Sequence, residues 1–105
     1  MIEKKLIEDM IQQELKDANK THPMFNSEHE AYAVLAEEVE EACEDMTHIT
    51  SNMDILWKNV KNDLCTSKNY IEIHKSAVHM IQEAIQVASM AEKALASIEW
   101  RRSGK

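Results

Sequence analysis

The sequence predicts an all-α fold, a bundle of about three long helices. Two observations lead to this prediction. The 105 residues include only one glycine and one proline, so the chain cannot be rich in tight turns. The apolar residues recur at steps of three and four, as on one face of a helix, and do not form the alternating runs of a strand. We expect one domain, residues 1–105, near the lower size limit for an independent core.

The first predicted helix runs from Ile2 to Asp17, because six apolar residues within it share one face. The segment 18–26 that follows contains the single proline and several polar residues, so it is predicted to be a loop. Two apolar residues lie inside this loop, Met24 and Phe25. We expect both side chains to be buried in the core, and the alternative is that they line a pocket.

The second predicted helix starts at a capping box, in which Ser27 is the N-cap residue and Glu30 follows three positions later. Its apolar spacing is unbroken over residues 32–60 and its stripe continues to Leu64, which indicates one long helix or two nearly continuous ones. Weak helix formers cluster near its middle, so a kink or short turn is most favoured at 49–52.

The last predicted helix runs from Lys68 to Trp100, after a polar break at 65–69, and Arg101 to Lys105 are predicted to form a frayed basic tail. Because every predicted helix carries an apolar stripe and the chain is short, we expect a homo-oligomer, a dimer or a tetramer, to complete the core. Four alanines of the last helix permit close approach of another helix. They are Ala77, Ala84, Ala88 and Ala91.

The composition argues against several classes of function. A net charge of −7 disfavours a general nucleic-acid-binding or membrane-surface protein, since such proteins use basic patches. Cys43 and Cys65 are far apart and no signal peptide is recognised, which indicates reduced thiols in the cytoplasm. No apolar run approaches the roughly 20 residues that span a bilayer. The sequence has no glycine-rich phosphate loop, and its histidines lack zinc-site or di-iron spacing.

The strongest candidate for a functional site is the segment 36–45, which contains six carboxylates in ten residues and still keeps its apolar stripe. With Val39 at zero and about 100° per residue, Glu38 lies near −100° and Glu41 near −160°. The two acids therefore flank the stripe one turn apart, where they could bind one hard cation such as Mg²⁺. The alternative is that these acids simply face solvent, as they do on many glutamate-rich helices.

A second polar strip lies on the last predicted helix, beside its apolar face. It comprises His79, Gln82, Glu83 and Gln86, which share about 100° of the helix circumference. Glu83 and Gln86 are again a pair of oxygen ligands three residues apart. Such a strip could face a partly buried groove, and the alternative is an ordinary polar boundary.

The two blocks together resemble the all-α NTP pyrophosphohydrolases of the MazG-like superfamily, and more closely its short phage and prophage members. That family carries EExxE on one helix and ExxD on a later one, and this chain has EEVEE at 37–41 and EAIQ at 83–86. The similarity covers about residues 25–94. The segment between the blocks, 42–82, is longer than in the compact members of the family.

The resemblance implies roles for five residues. Glu38, Glu41 and Glu83 would bind Mg²⁺ or Mn²⁺, and Glu37 would be a ligand or a base that orients water. The cation would hold a nucleoside triphosphate and activate the water that cleaves it to NMP and pyrophosphate. Gln86 departs from the family pattern, because a neutral amide binds Mg²⁺ less well than aspartate and cannot act as a base. The alternative is a catalytically degenerate helical interaction or regulatory protein that keeps the fold without the activity.

Overall fold

The computed structural model describes residues 1–104, which form three α-helices and contain no strand. The helices are α1 (Lys4–Ala18), α2 (Glu28–Lys61) and α3 (Ser67–Arg102), so the predicted all-α class is confirmed. α3 is the central element. Both α1 and α2 pack against it, and within residues 1–104 they do not pack against each other. None of the three helices has the combination of length and apolarity needed to cross a membrane.

α2 is one uninterrupted helix of 34 residues, so the first of the two predicted alternatives is the one observed. No turn interrupts it near 49–52, although polar side chains in this part of α2 bond to carbonyls of the preceding turn. Thr47 Oγ1, for example, donates to the carbonyl of Cys43 at 3.0 Å. The predicted capping box forms at its start, where Ser27 Oγ accepts a hydrogen bond from the Glu30 N–H at 3.1 Å.

The loop between α1 and α2 places Phe25 in a small core beside the C-terminal half of α3. Phe25 is buried, as predicted, and packs with Ala31 and Met90. Its N–H donates to Ser97 Oγ at 2.8 Å, and that hydroxyl donates to the Lys93 carbonyl at 2.7 Å. The Lys93 ammonium lies 4.7 Å from the centre of the Phe25 ring, a cation–π contact.

The predicted frayed tail is wrong for its first two residues, because α3 continues through Arg101 and Arg102. Arg101 Nη1 donates to the Phe25 carbonyl at 2.8 Å, and its Nη2 lies 3.8 Å from the Glu28 carboxylate. These contacts hold the end of α3 against the loop and the start of α2. Lys105 lies outside the described residues.

The apolar stripes are covered much less than the sequence predicts. Val39, Met46 and Met53, which belong to the predicted stripe of the second helix, are exposed, and so is Cys43. The reason is that α1, with 15 residues, covers only part of the much longer α2–α3 hairpin. Among the described residues, the buried hydrophobic side chains are Phe25, Ala31, Leu56 and Met90.

Candidate metal centre

Packing of α2 against α3 brings three of the predicted carboxylates together. Glu38 and Glu41 lie one turn apart on α2, and Glu83 faces them from α3. One oxygen from each carboxylate lies within 4.8 Å of the other two. The convergence follows from two features: the i, i+3 spacing on α2, and the short connection 62–66 that folds α3 back along α2. We call these three residues the acidic cluster.

Glu83 is the most constrained member of the acidic cluster. Its exposed fraction is 6%, and its Oε2 atom is buried without a hydrogen-bond partner. Burial raises the pKa of Glu83, and the neighbouring Glu38 carboxylate adds to the rise. The adjacent Glu83 carboxylate, through its close contact and its charge, raises the pKa of Glu41. A buried carboxylate oxygen without a donor is costly, and a cation would compensate it.

Gln86 adjoins the acidic cluster as a hydrogen-bond donor. With its amide nitrogen turned toward the carboxylate, that nitrogen lies 2.9 and 3.2 Å from the two oxygens of Glu38. Gln86 therefore presents an N–H to the cluster in this orientation, rather than the oxygen expected of a ligand. Glu37 is exposed and is not one of the three convergent carboxylates, although it precedes Glu41 by four residues on the same side of α2.

Asp45 and His79 extend the site by one helical turn. His79 Nδ1 lies 2.7 Å from Asp45 Oδ2, and its Nε2 lies 3.8 Å from Glu83 Oε1. The hydrogen bond with Asp45, which is buried, raises the pKa of His79 and favours the imidazolium beside the acids. Sequence reasoning placed His79 in a polar strip but did not connect it with Asp45. The spacing of the sequence could have indicated this contact. Asp45 follows Glu41 by four residues and His79 precedes Glu83 by four, so each lies one turn from a member of the acidic cluster.

Two polar clefts flank this part of α3. The first, of about 390 Å³, lies between α1 and α3 and is lined by Glu83 and Gln86 together with Glu14 of α1. The second, of about 480 Å³, lies between α2 and α3 and includes Lys75 and the Asp45–His79 pair. Gln82 lines both clefts, so they adjoin each other next to Glu83. A ligand of several polar groups could therefore reach the acidic cluster from either side.

The chemistry of the donor set suits a hard divalent cation. Carboxylate oxygens are the ligands that Mg²⁺ and Mn²⁺ prefer, and the acidic cluster offers them from two different helices. The two thiols, on Cys43 and Cys65, are not part of the cluster. The arrangement therefore fits the cation that the sequence resemblance implies.

Comparison of the chain with models of protein families, with curated proteins and with solved structures finds no match. The functional interpretation consequently rests on the geometry of the acidic cluster and on the two sequence blocks that form it.

Proposed function

We propose that this protein is a MazG-like helical protein that binds Mg²⁺ or Mn²⁺ at Glu38, Glu41 and Glu83. Through the cation it binds the phosphates of a nucleoside or deoxynucleoside triphosphate, which it hydrolyses slowly to NMP and pyrophosphate. The observation that carries the proposal is Glu83, which converges with two other carboxylates and has a buried Oε2 atom without a hydrogen-bond partner. Like charges held this close repel one another, and a divalent cation would remove the repulsion.

The surrounding residues have supporting roles in this proposal. A bound cation would polarise the phosphate and lower the pKa of a bound water. Glu37, exposed beside the cluster, could accept a proton from such a water. The hydrogen bond with Asp45 raises the pKa of His79 and holds the imidazole next to Glu83 between the helices. Lys75, in the adjoining cleft, supplies a positive group for a phosphate chain.

Gln86 is the reason to expect slow hydrolysis. The transition state gains negative charge on the phosphate, and a cation held by fewer charged ligands is placed less well to offset it.

The second candidate function, a non-catalytic interaction protein, is favoured by the same residue, Gln86. With its amide nitrogen turned toward Glu38, it contacts both oxygens of that carboxylate, as expected if the site has become a structural contact between helices.

The proposal also includes the assembly and location that the sequence predicts, a homo-oligomer in the cytoplasm. Assembly is supported by the small number of buried hydrophobic side chains and by the long apolar stripes left exposed on α2 and α3.

Nucleotide binding separates the two candidate functions. We expect a non-hydrolysable NTP to bind in the presence of Mg²⁺ and not in EDTA, as measured by isothermal titration calorimetry. Glu83→Gln should abolish this binding, whereas Glu40→Gln, which removes the same charge from an exposed neighbouring site, should leave it intact. Pyrophosphate release from a panel of NTPs and dNTPs should be slow. Absence of binding to every nucleotide tested would favour the interaction protein, and rapid turnover would show that Gln86 is not a lost ligand.

A further inference from the structure

An extended apolar surface lies on the side of α3 opposite the acidic cluster. Two grooves meet there, one between α2 and α3 and one between α1 and α3, and Ala84 and Ala88 line both. On the α3 circumference Ala84 lies about 130° and Ala88 about 170° from the mean direction of Glu83 and Gln86. We call this surface the apolar face. Besides the two alanines, its side chains include Val39, Met46, Met80 and Ile81.

The single chain exposes more surface than a compact protein of its mass. Its solvent-accessible surface is 7907 Å², whereas a folded monomer of 12.1 kDa exposes about 6,000 Å². Its radius of gyration is 18.3 Å, against about 13 Å for a compact domain of this length. The excess area is roughly 1,900 Å² per chain, within the ~1,000–2,500 Å² that each partner buries in an obligate homodimer.

The apolar face is the part of the surface best suited to bury this excess. The chain carries a net charge of −7, yet every side chain that lines the two grooves is uncharged. Two copies can therefore meet there without bringing their acidic residues into direct contact. A large uncharged surface of this kind is unusual on a monomeric protein and marks an interface.

The apolar face combines bulky side chains on α2 with small side chains on α3. Val39 and Met46 of α2 line the same groove as Ala84 and Ala88 of α3, which form an alanine trough. A two-fold axis would place the bulky row of each copy in the alanine trough of the other. Each contact would then occur twice, as in an isologous interface.

We propose that a second copy of this chain covers the apolar face, with the α2 ridge of each protomer packed against the α3 alanines of its partner. The acidic cluster, on the other side of α3, stays open to cation and nucleotide in this assembly. The inference rests on the assembly part of the proposed function and is independent of metal binding.

A matched pair of variants tests the face by light scattering at tens of micromolar protein. The unmodified chain should have at least the mass of a dimer. Ala84→Glu places a charge in the centre of the apolar face and should reduce the mass to that of a monomer. Ala33→Glu adds the same charge at an exposed position of α2 away from the two grooves and should leave the mass unchanged.

The two cysteines provide a second test in the unmodified chain, which does not depend on a variant that folds. Cys43 lines the apolar face and Cys65 lies in the connection between α2 and α3, and both are exposed in the single chain. If a second copy covers the face, Cys43 should react with a thiol reagent about tenfold or more slowly than in urea, because the interface must open first. Cys65, which lies outside the apolar face, should not react more slowly in the native protein than in urea.

The outcomes distinguish an oligomer that uses a different surface from a chain that does not assemble. A monomeric unmodified chain would overturn this proposal and the proposed assembly together. An oligomer that Ala84→Glu leaves intact, with Cys43 reacting as fast in the native protein as in urea, would overturn the face alone. Either result would leave the metal and nucleotide experiments to decide the rest of the proposed function.

Discussion

At the residue scale, replacing Gln86 by aspartate should lower the stability of the protein without metal and increase its stabilisation by metal. Its amide gives Glu38 two hydrogen bonds, so Gln86→Asp removes a donor and adds a fourth carboxylate to the acidic cluster. We expect the variant to melt at a lower temperature than the parent in EDTA. In Mg²⁺ its melting temperature should rise by more than that of the parent, because the added charge strengthens cation binding.

Melting curves with and without Mg²⁺ measure both effects, and Gln13→Asp on the exposed side of α1 controls for the added charge. Pyrophosphate release should also increase, since correcting a misplaced group can restore on the order of a hundredfold in rate. If Gln86→Asp gains neither metal stabilisation nor turnover, the site has been abandoned and the interaction-protein alternative should replace the enzymatic one.

The residues of the candidate site were predictable to different degrees. Spacing alone selected Glu38, Glu41 and Glu83, because the faces of two helices can be read from the helical period. It could not tell whether the amide of Gln86 donates or accepts, since that depends on the neighbour it meets. The Asp45–His79 contact depends on the register between α2 and α3, which no local pattern specifies.

At the scale of elements, two buried serines on α3 have different structural roles. Ser97 Oγ accepts the N–H of Phe25, whereas Ser89 Oγ donates at 2.7 Å to the carbonyl of Ile85 in its own helix. We expect Ser97→Ala to lower the free energy of unfolding by about 1–3 kcal/mol, because it leaves a buried backbone donor without a partner. Ser89→Ala should cost less, because the two carbonyls that its hydroxyl contacts, those of Ile85 and Ile11, both lie within helices and keep their backbone partners.

Urea denaturation of the parent and the two variants measures these differences. Both serines are fully buried, so the pair is matched for the volume removed. Equal losses for the two variants would show that the contact between the loop and α3 does not stabilise the position of Phe25.

The sequence predicted the number and order of the helices correctly, and it predicted the residues at which they end less accurately. Capping chemistry at Ser27 is local, so the start of α2 was predicted to within one residue. The end of α3 was missed because Arg101 is held by the backbone of a loop more than 70 residues earlier. The periodicity of the stripes showed which face of each helix is apolar, and it could not show that α1 leaves most of that surface exposed.

At the scale of the whole molecule, assembly should link stability to concentration. When folding is coupled to association, the melting temperature rises with chain concentration by mass action. We therefore expect a higher melting temperature at high than at low chain concentration for the unmodified protein and for Ala33→Glu. Ala84→Glu should melt at a lower temperature that does not depend on concentration. A melting temperature independent of concentration in all three proteins would argue against coupled assembly.

Cation binding by the acidic cluster is the claim on which the proposed function depends, and metal-dependent melting tests it most directly. The measurement compares the unmodified protein with Glu41→Gln and Glu40→Gln, which remove the same charge from adjacent positions, one inside the cluster and one outside. We predict that Mg²⁺ or Mn²⁺ raises the melting temperature of the unmodified protein and of Glu40→Gln, and that Glu41→Gln loses the rise while keeping its helix content. Equal stabilisation of all three proteins, or of none, would contradict the assignment of the cluster as a metal site.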